Sequence, residues 1–157
     1  MDQIVIRKAA PADIPQLQTL SMALLNDPTS ANDVFSNRTW PANDQGAQTL
    51  GAFLTDPSKA IWVAEDTGRI VGFLRAGIAS HLPWRPIKRA QVFSLYVAPV
   101  YRSRQVGRGL CESFFMWARQ HKATTAMLMV YADNTRAISF YESLGFAAHM
   151  VELERPL

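Results

Sequence analysis

The chain has 157 residues, 48% of them hydrophobic, and a formal net charge of +3, a size and balance that suit one globular domain spanning residues 1–157 with a sizeable buried core. Its single cysteine, Cys111, excludes an internal disulfide and a cysteine-based metal site, and the lack of a long apolar run argues against a signal peptide or a transmembrane helix. The expectation is therefore a cytoplasmic protein with no metal centre and no membrane partner.

In chain order, residues 3–8, with Ile4, Val5 and Ile6 adjacent, predict a first strand. Asp13 is placed to cap a helix whose apolar stripe is Ile14, Leu17, Leu20 and Leu24, with Pro15 tolerated in its first turn. Residues 26–41 are rich in Asn, Asp, Ser, Thr and Pro without periodicity and predict a loop, followed by a second helix over 44–54. Residues 60–65 and 70–80 read as strands joined by the hairpin signal Asp66-Thr67-Gly68. Pro83 and Pro86 make 81–88 a loop. A fourth strand is expected over 91–97, a third helix over 107–121, a fifth strand over 126–131 and a fourth helix over 136–144, with Gly145 as its stop. Residues 147–157 leave room for one closing strand. Leu110, Phe114, Trp117 and His121 share one face of the third helix and read as core, as does Cys111. The order β-α-α-β-β-β-α-β-α-β implies an α/β fold, a mixed and mainly antiparallel sheet flanked by helices.

The charge is uneven along this order. Residues 1–80 carry six Lys/Arg and eight Asp/Glu, residues 81–157 carry ten and five, and six cations with no acid lie between Arg85 and Arg108. That run brackets the most informative segment. The fourth strand ends in Leu95-Tyr96-Val97-Ala98-Pro99, and a short basic loop leads to Arg104-Gln105-Val106-Gly107-Arg108-Gly109 at the start of a helix. Glycines let the backbone turn tightly, and the unpaired N–H groups of a helix start favour anions. Such a loop alone is ordinary turn chemistry. Downstream, however, come Asn134, Ala137 and Phe140-Tyr141-Glu142-Ser143-Leu144-Gly145-Phe146.

Together these segments resemble the GNAT superfamily of N-acetyltransferases. Arg104, Gly107 and Gly109 match its acyl-CoA loop, Gln/Arg-x-x-Gly-x-Gly/Ala; Asn134, Ala137, Phe140, Tyr141, Gly145 and Phe146 match its Asn-x-x-Ala-x-x-Phe-Tyr-x-x-x-Gly-Phe motif. The element order is also that of the GNAT fold, apart from an end shorter than the family's usual hairpin. The resemblance implies acetyl-CoA as the acyl-donor cosubstrate. The main-chain N–H groups of Gln105, Val106, Gly107, Arg108, Gly109 and Leu110 would hold its pyrophosphate, while Leu95, Tyr96 and Val97 would pair with its pantetheine arm as an added strand does. Arg102, Arg104 and Arg108 either add phosphate contacts or face solvent. Asn134 reads as a helix cap, a cofactor ligand or both, and Ala137 and Phe140 complete the cofactor-binding motif.

Tyr141 stands where the family places the acid that protonates the departing thiolate; without the resemblance it is one of an aromatic pair on an amphipathic helix. Many relatives carry a glutamate on the fourth strand, but Gln91-Val92-Phe93-Ser94 offers no carboxylate. His81, in the loop before that strand, is the candidate base. Glu65 and Asp66 beside the hairpin turn read as solvated. Asp27, Asp33, Phe35, Trp40, His81 and Trp84, in the two loops expected to face the acceptor, supply acids and aromatics suited to a cation or to a packed lid. The implied function is direct acetyl transfer to a primary amine of a small molecule. Acetylation of a peptide N-terminus or protein lysine, or a non-catalytic acyl-CoA-binding regulatory domain, are the alternatives. Nucleic acid is the less favoured partner for the basic half, and the shortened end leaves a homodimer open.

Overall fold

In the computed structural model, which describes residues 4–30, 33–79 and 81–157, the two apolar runs that flank the Thr67-Gly68 turn become the centre of one five-stranded sheet. The elements are β1 (Val5–Lys8), α1 (Ile14–Leu25), α2 (Asp44–Thr55), β2 (Lys59–Asp66), β3 (Arg69–Ala79), β4 (Arg89–Val97), α3 (Val106–Gln120), β5 (Thr125–Leu128) and α4 (Thr135–Glu142). The strands lie in the order β1-β2-β3-β4-β5. The first three pairings are antiparallel and β4 with β5 is parallel, because α3 carries the chain back across the sheet. The expected mixed, mainly antiparallel architecture is what forms.

Both faces of the central strands are covered, which is why β2 and β3 read as continuous apolar runs rather than alternating ones. On one face α3 sets Val106, Leu110, Phe114 and Trp117 against Trp62, Leu74, Ala76 and Val92. On the other, Leu17 of α1 and Leu50 of α2 pack on Ile61, Val63, Phe73 and Tyr96. A β-bulge interrupts β4: Arg75 pairs with Ser94 and Ala76 with Val92, so Phe93 is the extra residue. The bulge reverses the alternation. Ala90 and Val92 before it and Leu95 and Val97 after it all serve the α3 face, while Tyr96 turns to the α1 face.

Several expectations are corrected. Asp13 does not cap α1 with its side chain. Its carboxylate accepts the Ala10 N–H at 2.7 Å and two hydrogen bonds from Arg7 at 2.7 and 2.9 Å. Arg7 also donates from Nε to Glu65 at 2.8 Å, so Glu65 is an ion-pair partner rather than a solvated acid. Asp66 is only 8% exposed and accepts the Tyr101 hydroxyl at 2.7 Å. The loop before α2 contains 3-10 turns at Pro28–Ser30 and Trp40–Ala42. β5 ends at Leu128 rather than at residue 131, because the chain then leaves β4 and Tyr131 donates its hydroxyl to Asp33 at 2.6 Å. Residues 147–157 form no strand. Met150, Val151 and Leu153 are exposed there, so the segment buries no apolar face. Gln3 and Ser80, expected in strands, and residues 31 and 32 of the loop lie outside the described residues.

Candidate functional site

The parallel pairing of β4 with β5 runs from Arg89 opposite Thr125 to Val92 opposite Leu128 and stops there. β4 continues to Val97, still held by β3 through Gly72. Past the Phe93 bulge, the side of β4 turned away from β3 is therefore a main-chain edge with no strand partner among the described residues. Backbone donors and acceptors at such an edge suit an extended ligand lying alongside as an extra strand. Leu95, Tyr96 and Val97 lie on it, with their side chains committed to the two cores.

The chain then turns through Pro99–Tyr101 into α3. Ser103 and Gln105 sit at φ values of 65° and 63°, left-handed conformations of the kind found in anion-binding backbone concavities. The Gly109 N–H bonds to the Gln105 carbonyl at 3.0 Å. The N–H groups of Val106, Gly107 and Arg108 therefore precede the first turn of helical bonding, at the positive end of the helix dipole. The two glycines serve packing. A Cβ on Gly107 would stand 3.2 Å from the Phe140 ring, and one on Gly109 would run into Cδ1 of Ile6. Their missing side chains let α4 and β1 close on α3 and so fix where its N-terminus points.

The downstream motif docks on this helix. Asn134 accepts the Ala137 N–H at 3.1 Å and so caps α4. The Tyr141 ring lies 5.3 Å from Phe140 and 5.7 Å from Phe146. Burial pushes the Tyr141 phenol up from its ordinary value, and it pushes the Cys111 thiol up to about 12, which leaves that cysteine a protonated core residue. Among the basic side chains, Arg102 is turned into the protein. It donates to the Val97 carbonyl at 2.9 Å and to Asp27 at 3.1 Å, tying the α1–α2 connection to the end of β4. Arg104 is exposed beside Tyr101, its guanidinium 5.5 Å from that ring, and Arg108 is half-buried at the helix start.

The loops expected to hold the acceptor look different from the expectation. Asp27 is already paired with Arg102, and Asp33 accepts the Tyr131 hydroxyl, a bond that pushes the Tyr131 phenol up to about 12. Phe35 and Trp84 are 71% and 72% exposed, whereas Trp40 is half-buried. His81 is exposed on the β3–β4 connection, which is pinched by a bridge between Leu82 and Arg85.

The structure adds Arg75 and Phe53, which no sequence motif marks, and joins them to Ser94 and Phe93 of the bulge. Arg75 on β3 faces the α1/α2 side, its guanidinium 4.9 Å from the Phe53 ring, and its Nη2 donates to the Ser94 hydroxyl at 3.3 Å. Phe53 meets the bulge residue Phe93 edge to face at 5.6 Å. The available signal was a lone cation inside the apolar run of β3.

Comparison with known proteins agrees with this geometry. The family model described as the acetyltransferase (GNAT) family matches residues 23–146. The chain is 30% identical over 100 residues to N-acetyltransferase 8 of Rattus norvegicus, a match covering 64% of this chain and 45% of that protein. It is 33% identical over 98 residues to a mycothiol acetyltransferase of Streptomyces griseus, covering 62% and 30%. The chain thus spans less than half the length of either relative. An aminoglycoside N-acetyltransferase solved with CoA superposes with a TM-score of 0.80 at 17% identity, over 99% of this chain and 96% of that one. With its parted β4 and β5, its α3 cradle and a family match over most of its length, the chain belongs to the GNAT acetyltransferase family.

Proposed function

We propose that the protein transfers an acetyl group from acetyl-CoA to the primary amine of a small molecule, by direct attack within one ternary complex. The observation that carries this reading is the open β4 edge beyond Phe93, which leads into the α3 N-terminus where Gly107 meets Phe140 of the half-buried Tyr141 motif. Acetyl-CoA supplies the activated acyl group and a thiolate leaving group. The N–H groups of Val106, Gly107 and Arg108 suit its diphosphate, and the main chain of Leu95, Tyr96 and Val97 suits its amide-bearing arm. An N–H of this same β4 edge is the donor suited to the thioester oxygen as charge develops there.

Tyr141 holds the proton for the departing sulfur. Its raised pKa keeps the phenol neutral at physiological pH, so the proton is present when the thiolate forms. β4 supplies no matching base: around the bulge it carries Gln91, Phe93 and Ser94. In this reading the ammonium form loses one proton to solvent and attacks as the free base, and the second proton that the nitrogen sheds on becoming an amide restores the Tyr141 phenol, so the rate follows the acceptor's own ionisation. Cys111 forms no acyl intermediate, being buried and protonated.

Tyr141→Phe tests the assignment. Turnover should fall about ten-fold to a thousand-fold, with acetyl-CoA affinity by calorimetry close to that of the unaltered protein. Undiminished turnover would remove Tyr141 from the chemistry.

A further inference from the structure

Arg75 is a cation in an unusual position. Its strand is covered on both faces, and its neighbours Leu74 and Ala76 are fully buried. Nε is shielded from solvent without a hydrogen-bond partner among the described residues, and the guanidinium's bond to a side chain is the 3.3 Å contact with the Ser94 hydroxyl. No carboxylate pairs with it among the described residues; the nearby Lys59, which shares the Phe53 ring at 5.1 Å, is matched by Asp56 at 3.2 Å. Burial accordingly lowers the Arg75 pKa with no acid to oppose it. A shielded charge without a counter-ion is costly, and a fold keeps one readily where something anionic arrives to meet it.

Its placement says what arrives. Arg75 lies opposite Ser94, the residue that follows the bulge, and β4 parts from β5 after Val92. One strand spacing of about 4.8 Å therefore separates the Arg75 backbone from the edge where the thioester is held in the reading above. α3 and α4, with the diphosphate cradle and Tyr141, occupy the other face of the sheet. The acceptor is left the α1/α2 face, where the Arg75 guanidinium is oriented by Phe53 at 4.9 Å and Phe53 is in turn propped by Phe93 at 5.6 Å. Gly77 makes room for this arrangement, since a Cβ there would stand 2.9 Å from the Phe93 ring. The acids that would have drawn a polycationic acceptor, Asp27 and Asp33, are already engaged by Arg102 and Tyr131.

We propose that Arg75 is an acceptor-binding residue that grips a carboxylate, and that the acceptors are amines carrying one: amino acids or their conjugates. This assignment rests on the acetyl-transfer reading and narrows its substrate class. The planar guanidinium offers a carboxylate two parallel hydrogen bonds, and that anchor holds the amine over the β4 edge.

The test measures thiol release from acetyl-CoA with α-, β- and γ-amino acids, each against its own carboxamide, in the unaltered protein and in Arg75→Gln and Arg75→Lys. The acids should exceed their amides in kcat/KM by about ten- to a hundred-fold. Arg75→Gln should bring that ratio towards one and Arg75→Lys should retain part of it, with the acetyl-CoA dissociation constant the same in all three proteins. Acids and amides turning over equally in the unaltered protein, or Arg75→Gln lowering both by the same factor, overturns this assignment alone. Bound acetyl-CoA with no thiol release from any acceptor overturns the transfer reading and this assignment with it.

Discussion

Arg7, Asp13 and Glu65 show how much a few side chains contribute to this fold. Arg7 binds both Asp13 oxygens and reaches Glu65, joining β1, the turn before α1 and β2. The Arg7 guanidinium holds the Asp13 carboxyl below the usual carboxylate range, against the opposing effect of burial. A depressed carboxylate pKa contributes stability that is present above the unfolded value of about 3.9 and is lost as pH falls through the folded one. Asp13→Asn should therefore cost about 1–2 kcal/mol at pH 7 in urea denaturation, the exposure of Arg7 limiting the effect, and should flatten the loss of stability below about pH 4. Equal stability of the two proteins at pH 7 would show the pair to be inert. For Tyr141 the sign is opposite: its pKa is raised, so the proton stays on across the working range. Turnover should climb with pH as the amine deprotonates and show no Tyr141-linked decline below about pH 10. A decline centred near neutrality would contradict the acid assignment. The Asn134 cap was legible in the sequence, and so was the place of Tyr141 beside Phe140, because both sit at fixed spacings on one helix. Arg75 and Asp13 were not, because their meaning lies in partners supplied by other strands.

At the scale of elements, close contacts between helices and strands decide the geometry of the cradle. Gly109 lets α3 lie against Ile6 of β1, and the obstructing atom for any side chain at 109 is Cδ1 of Ile6. Gly109→Ala should destabilise by about 1–3 kcal/mol through overpacking, and Ile6→Val, which removes that atom, should recover part of the loss in the double variant. Purely additive effects in thermal or urea denaturation would show that the two residues do not meet. The helices and the first four strands were legible because apolar periodicity and turn residues agree there. The end of β5 and the segment 147–157 were over-read for a physical reason. An apolar segment holds as a strand where it has a face to bury, and Met129, Met150, Val151 and Leu153 remain exposed.

For the whole molecule, the run of cations from Arg85 to Arg108 divides among different partners. Arg85 contacts His149 at 3.1 Å, Arg102 pairs with Asp27 and Arg104 lies beside Tyr101. Among the described residues no helix is long and apolar enough to cross a membrane. The segment proposed to bind the donor was readable in the sequence because it is a local strand–loop–helix unit. The cluster proposed to bind the acceptor was not, since it is assembled from β3, β4 and α2 and depends on a bulge that strand patterns do not announce. The proposed reaction is acetyl transfer at the parted edge of β4. Its most direct measurement is simultaneous quantification of free CoA thiol and acetylated amine when the purified protein is given acetyl-CoA and a panel of amines. Acetyl transfer yields thiol and product in equal amounts, and only when both substrates are present; acetyl-CoA that binds yet releases no thiol with any amine would contradict it.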